Sequence, residues 1–153
     1  MKRKLRDSLV ALQAWKDRKT VVFLSDFGMS DGAVSAMHGV ANGVSNLLRL
    51  EDLTHEIPQF NIWEASYRLV QALPYWAKGT VFVCVVDPGV GSDRKSVVAL
   101  TESGHLIVTP DNGTLTHVAD SIGILEVRMI NVDTHRLSGS QKSHTFHGRD
   151  VYA

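Results

Sequence analysis

Apolar residues in this chain fall into two patterns: short β-branched runs that stop at Asp- and Gly-containing turns, and longer stretches in which they recur at helical spacing. Thr20-Val21-Val22-Phe23-Leu24 ends at Ser25-Asp26-Phe27-Gly28, which predicts a buried strand and a turn. From Asp31 to Ser45, Ala33, Met37, Val40 and Val44 lie near one face of a helix that Asp31 is placed to cap. Leu47 to Leu53 predicts a second strand, imperfectly alternating. Ile62, Ala65, Leu69 and Leu73 predict a helix over 61–76, with Pro74 ending or bending it. Thr80 to Val86 is apolar at nearly every position, as suits a strand covered on both faces, and it ends at Asp87-Pro88-Gly89-Val90-Gly91. Ser96 to Leu100 and His105 to Thr109 flank a hairpin turn at Glu102-Ser103-Gly104. A turn at Pro110-Asp111-Asn112-Gly113, a short helix over 114–122 and a strand over 124–130 follow, and 131–143 is polar without periodicity. The order β-α-β-α-β with an added β-hairpin predicts an α/β three-layer sandwich: a mainly parallel central sheet with helices on both faces.

Length and composition narrow this picture. A chain of 153 residues suits one domain and buries a substantial core without disulfides. The single cysteine, Cys84, lies inside an apolar strand and reads as a structural thiol. Sixteen Lys and Arg balance sixteen Asp and Glu, so no nucleic-acid partner is expected. Residues 1–19 are basic, with Leu5, Leu9, Leu12 and Trp15 at helical spacing, and read as an amphipathic arm rather than a signal peptide. No stretch is apolar enough to span a membrane, and a cytoplasmic location is the default expectation.

The polar residues that draw attention stand where the clearest strands stop. In open parallel sheets, ligands bind beyond the carboxyl ends of the strands, so Asp26 and Asp87 are placed to face one crevice. The same Asp-Gly pattern also makes ordinary turns and helix caps, and local chemistry leaves both readings open. Thr145-Phe146-His147-Gly148-Arg149-Asp150 concentrates ionisable groups between two aromatic residues, Phe146 and Tyr152. His38, His55, His105, His117 and His135 read as surface or satisfied core residues. His144 and His147 are spaced for a metal pair but lack a third ligand nearby, so no metal is expected. There is no phosphate-binding loop and no nucleophile elbow. Bottom-up, the chain is an α/β domain that binds a small polar ligand at strand ends.

Ser25-Asp26-Phe27-Gly28, Val86-Asp87-Pro88-Gly89-Val90-Gly91, Pro110-Asp111-Asn112-Gly113 and Phe146-His147-Gly148-Arg149-Asp150 occur in one order and at separations that resemble the S-adenosyl-L-methionine (SAM) hydroxide adenosyltransferases, relatives of the fluorinases and chlorinases. The resemblance covers residues 20–153 and implies hydrolysis of SAM to adenosine and L-methionine by attack of water or hydroxide on ribose C5′. It implies a hydrolytic set at Asp87, Arg94 and His147, where a fluorinase-like chain would carry tyrosine in place of Asp87. Asp87 would take the water's proton or hold the water, Arg94 would stabilise hydroxide character, and His147 would orient the water or relay the proton. Substrate-binding roles carry over to Asp26 on the ribose hydroxyls, Phe60 against the nucleoside, Asn112 at the turn and Gly148 where the backbone approaches the ribose. No cofactor is implied, and the family's assembly is a homotrimer.

The resemblance also implies more chain than is present. Family members continue into the rest of the first domain and then a second, β-rich domain whose contacts complete the substrate pocket between subunits. Residues 1–19 are thus expected to be an arm, residues 20–153 the amino-terminal catalytic domain, and the carboxyl-terminal domain absent. That expectation leaves a second function open, a non-catalytic adenosine- or SAM-binding or assembly module, and predicts uncovered apolar surface.

Overall fold

The computed structural model describes residues 20–143 and 145–153, so the expected arm at 1–19 and His144 lie outside the described residues. Among the described residues a single sheet carries strands β1 (Thr20–Ser25), β2 (Arg49–Thr54), β3 (Val81–Val85), β4 (Ser96–Thr101), β5 (Leu106–Pro110) and β6 (Ile124–Met129). Their order across the sheet is β2-β1-β3-β5-β4-β6. The first four are mutually parallel, while β4 runs antiparallel to both β5 and β6. The hairpin thus extends the sheet, with β5 completing the parallel core. Helices α1 (Ala33–Val44), α2 (Ile62–Ala72) and α3 (Thr116–Ser121) connect strands, and α4 (Val132–His135) follows the last of them.

Strand alternation assigns the two faces. Val22 and Leu24 of β1 join Phe82, Cys84 and Val86 in a core with Ala65 and Leu69 of α2 and Val118 of α3. Phe23, Val83 and Val85 point the other way, into a core with Met37 and Ala41 of α1 and with Val151 and Tyr152. The expected three layers follow from this two-sided burial. Phe23 and Phe82 are fully buried. Replacing either by Ala costs about 3–5 kcal/mol in a packed core.

Local chemistry explains the element ends. Asn61 accepts the Glu64 N–H at 3.0 Å and starts α2. That helix ends at Ala72, and Pro74 opens a 3₁₀ turn, Leu73–Tyr75. Asp31 accepts from the Ala33 N–H at 2.8 Å, at the start of α1. The imperfect alternation of β2 has a physical cause: its register against β1 slips between Phe23 and Leu24, which pair with Asp52 and Thr54, leaving Leu53 as a bulge. The segment without periodicity does contain one turn of helix, α4, whose Asn131 cap accepts from Thr134 at 3.3 Å. Four residues are too few for a helical period to show in a sequence. A groove of about 670 Å³ opens against the sheet, lined by Val98, Leu100, Leu106, Met129, Ile130 and Val151 among others. No helix among the described residues is long and apolar enough to cross a membrane.

Candidate active site

Strands β1, β3 and β5 are parallel neighbours, and Asp26, Asp87 and Asn112 each follow one of their carboxyl ends within two residues. Asp87 is buried, at 8% exposure. Arg94, on the loop into β4, folds back onto it: Nε donates to Asp87 Oδ2 at 2.8 Å, and Nη2 donates to the same oxygen. The guanidinium also donates from Nη2 to His147 Nδ1 at 2.9 Å and from Nη1 to Ser96 Oγ at 3.2 Å. Ser96 Oγ lies 2.8 Å from the Tyr152 hydroxyl, and the Tyr152 ring lies under the guanidinium carbon at 5.7 Å. One arginine therefore joins Asp87, His147, Ser96 and Tyr152, a fork geometry that lysine lacks. Asp87 Oδ1 is left buried without a partner. A buried carboxylate oxygen is costly to leave bare, and no donor among the described residues meets this one.

The protonation states follow from these contacts. Burial opposes the charge of Arg94, but its bonds to Asp87 and the Asp87 charge hold its pKa above the ordinary value. Burial lowers the pKa of His147, and the Arg94 and Arg136 charges lower it further, against Asp87 and Asp150. His147 is thus neutral near pH 7, and since Nδ1 accepts from Arg94 its proton sits on Nε2. Burial pushes the Tyr152 phenol up to about 12, so it remains a neutral hydroxyl.

Asp26 follows the carboxyl end of β1, the neighbour of the strand that Asp87 follows. Its Oδ2 accepts the Phe60 N–H at 2.8 Å. Burial raises its pKa, backbone bonds from Phe60 and its own N–H oppose the rise, and the Asp87 charge adds to it. The Asp87 charge is felt at Asp26 because the two carboxylates follow the ends of neighbouring parallel strands. Phe60 takes a left-handed backbone, φ 64°, and leaves its ring 54% exposed. A non-glycine residue in that region is strained, and the bond to Asp26 holds it there.

Gly148 opens a π-helical turn, Gly148–Tyr152, directly after His147. A Cβ at 148 would lie 2.8 Å from Phe27 Cε2 and 3.4 Å from Met37 Sδ, so only glycine allows this approach. Phe27 also meets Phe146 edge-to-face at 5.6 Å. The turn after β1 and the carboxyl-terminal segment are therefore locked together. Asn112 spends its side chain within the fold: Nδ2 donates to the Val86 carbonyl at 2.9 Å, and Oδ1 accepts from Thr114 Oγ1 at 2.7 Å. It ties the turn after β5 to the residue preceding Asp87.

The structure brings Asp87, Arg94 and His147 into direct contact, pairs Asp26 with Phe60, and places Asn112 and Gly148 as braces. Ser96 and the hydroxyl of Tyr152 were not singled out as site residues. Ser96 begins an ordinary β-strand run, and no local pattern marks its distant partner. Among the other histidines, His105 is buried and bonded to Ser103 Oγ at 2.8 Å and the Trp76 carbonyl at 3.0 Å, a satisfied core residue. Among the described residues no group of three His, Cys, Asp or Glu is arranged to hold a metal ion.

Comparison with known proteins places this geometry in a family. Residues 21–153 match the SAM hydroxide adenosyltransferase N-terminal domain. The chain is 43% identical over 137 residues to the (R)-S-adenosyl-L-methionine hydrolase of Methanocaldococcus jannaschii, covering 87% of this chain and 50% of that protein. It is 37% identical over 140 residues to the hydrolase of the same description from Thermus thermophilus, covering 88% and 54%. The fluorinase of Nocardia brasiliensis is 23% identical over 158 residues, covering 89% and 52%. A crystal structure of an uncharacterized conserved protein from Thermotoga maritima superposes with a TM-score of 0.82 at 37% identity, covering 86% of this chain and 50% of that one. The chain spans about half the length of the curated relatives it matches. On the match over residues 21–153 and on these identities, the chain belongs to the SAM hydroxide adenosyltransferase family, of which it carries the N-terminal domain.

Proposed function

We propose that this domain performs the water-activating part of SAM hydrolysis, giving adenosine and L-methionine. The observation that carries the reading is the unpartnered, buried Asp87 Oδ1 beside an Arg94 already fixed on Oδ2. A water held at Oδ1 gives up a proton to it while its oxygen attacks ribose C5′. The C5′–S bond breaks, and its electron pair returns to sulfur. Methionine leaves as a neutral thioether, so the departure needs no acid and the reaction needs no metal or cofactor. Arg94 stabilises the developing hydroxide from a fixed position. The Nε2–H of His147 orients the water or passes on the proton. Asp26 receives the ribose hydroxyls on its carboxylate and the exposed Phe60 ring packs on the nucleoside, with Gly148 and Asn112 shaping the wall. The names of the relatives support SAM as substrate and adenosine as product.

A second reading is an adenosine- or SAM-binding module without turnover. It is favoured by the open Asp26–Phe60 side of the crevice, together with relatives twice as long. The hydrolase reading carries with it a cytoplasmic homotrimer in which further polypeptide closes that side. A metal-dependent site on Asp26, Asp87 and His147 is disfavoured because the Arg94 guanidinium already occupies Asp87 Oδ2 and His147 Nδ1.

The test is incubation of the purified chain with SAM, followed by chromatography for adenosine and methionine, with Asp87→Ala alongside and a chelator control. Adenosine from the wild-type chain, unaffected by chelator and about 10²–10⁴-fold slower in the variant, is the expected result. Adenosine binding without any product from the folded chain supports the binding-module reading instead.

A further inference from the structure

A chain of hydrogen bonds runs through Ser25, the residue before Asp26. Ser25 Oγ and His55 Nδ1 are 2.7 Å apart, His55 Nε2 is 3.0 Å from Asp52 Oδ1, and His38 Nε2 is 2.8 Å from the same oxygen. Ser25 is fully buried and His55 is 3% exposed. The direction of the chain is set at its acidic end. Burial opposes the charge of Asp52, but bonds from His55 and His38 hold its pKa below the ordinary carboxylate value. An ionised carboxylate only accepts, so His55 Nε2–H donates to it, and the Ser25 hydroxyl is left to donate to Nδ1. Ser25 Oγ in turn accepts the Phe27 N–H at 3.2 Å. The His55 carbonyl accepts the Gly28 N–H at 2.8 Å.

Serine, histidine and an acid in series resemble a hydrolytic triad, but the chemistry argues against a nucleophile. Ser25 Oγ has no solvent access and already accepts a backbone N–H. The network instead grips both sides of Asp26. Its side chain fixes Ser25 and Phe27, and its backbone fixes Gly28. The bulge at Leu53 brings this about, because the slipped register sets Thr54 opposite Leu24 and so carries His55 alongside Ser25.

We infer that His55 is a positioning residue for Asp26, acting through Ser25 and anchored by Asp52, so that the carboxylate meets a ligand's vicinal hydroxyls in a preset orientation. The ligand part of this rests on the proposed function; the positioning of the turn does not. Two readouts separate them. The first is amide hydrogen exchange at Phe60, whose N–H reports the place of Asp26 directly, and at Gly28. The second is adenosine affinity by calorimetry in a double-mutant cycle of His55→Gln with Asp26→Asn. Gln keeps a donor for Asp52 but loses the acceptor for Ser25. Asn keeps an acceptor at the Nδ1 position. With folding confirmed by thermal melting, His55→Gln is expected to speed exchange at Phe60 and Gly28 and to weaken adenosine about tenfold, the scale of one lost buried hydrogen bond. It should add nothing further in the Asp26→Asn background. His55→Asn keeps the Ser25 link but loses the Asp52 anchor, and should fall between wild type and His55→Gln in both readouts. Unchanged Phe60 exchange in folded His55→Gln, or losses that add in the cycle, would overturn the inference and leave His55 a structural residue. Exchange that responds as expected in a chain that binds no adenosine would retain the positioning role and reject the ligand. Should His55→Gln fail to fold, Ser25→Ala removes the same link and is read in the same way.

Discussion

Asp87 and Asp26 follow neighbouring strand ends, and their surroundings are built differently. On the Asp87 side the carboxylate is buried and each contact seen comes from inside the fold: Arg94 grips Oδ2, Ser96 and Tyr152 brace Arg94, and Arg94 also reaches His147. On the Asp26 side one backbone N–H reaches a half-buried carboxylate, and the Phe60 ring stands exposed. The difference matches two tasks. Groups that stabilise developing charge work best when rigid and dry, so that they need no reorganisation during the reaction. Groups that recognise a nucleoside must leave hydrogen-bonding capacity and apolar surface for the ligand to fill. The surroundings of Asp87 are closed by contacts within the described residues, whereas Phe60 beside Asp26 stands open.

Removing Arg94 should break the comparison most severely. Arg94→Ala leaves the Asp87 carboxylate buried and unpaired, and is expected to cost about 3–5 kcal/mol of stability. Denaturant melts measure this. Arg94→Lys should recover little, since one ammonium does not reach Asp87, Ser96 and His147 together. Asp26→Asn should barely change stability but weaken adenosine binding about 10–100-fold, the worth of charge-assisted bonds to two hydroxyls. Titration calorimetry with adenosine and 2′-deoxyadenosine tests it, since the variant should discriminate between them less than wild type does.

A smaller effect is expected from pH. The folded-state pKa of His147 is lowered, so on acidification the unfolded chain protonates first. Stability should therefore be full above about pH 6.5, the ordinary histidine value, and should fall as pH drops toward the lowered pKa. Melting temperature against pH should lose part of this slope in His147→Gln. The rest belongs to groups such as His105, which burial shifts in the same direction. The smallest change is expected from Phe60→Gly. Relief of the left-handed strain offsets the added freedom of the unfolded chain, and stability should shift by under about 1 kcal/mol. Adenosine affinity should still fall, which would separate the ring's contact with ligand from its contribution to the fold.

Much of the fold was legible from residue order. Val81 to Val85 reads as a doubly covered strand because its neighbours on both faces are apolar, and Pro74 ends a helix for a reason local to its own ring. Asp26 and Asp87 were legible as candidates because each follows a strand end. The four-residue α4 was not legible, being too short to show a period, and β2 showed only a flawed alternation whose cause is a bulge.

By itself the sequence determined the order of elements, the α/β class, and the motifs that mark the family, all of which depend on residues a few positions apart. Tertiary structure alone decided what those motifs do to one another. Arg94 meets His147 across 53 positions, and Ser96 meets Tyr152 across 56. Asp87 Oδ1 is left bare while Arg94 turns its donors to Oδ2, Ser96 and His147. Gly148 is required because Phe27 packs where a Cβ would stand. Such contacts arise when loops at different strand ends are carried to one edge of a parallel sheet. No periodicity along the chain records which atoms then fall within bonding distance.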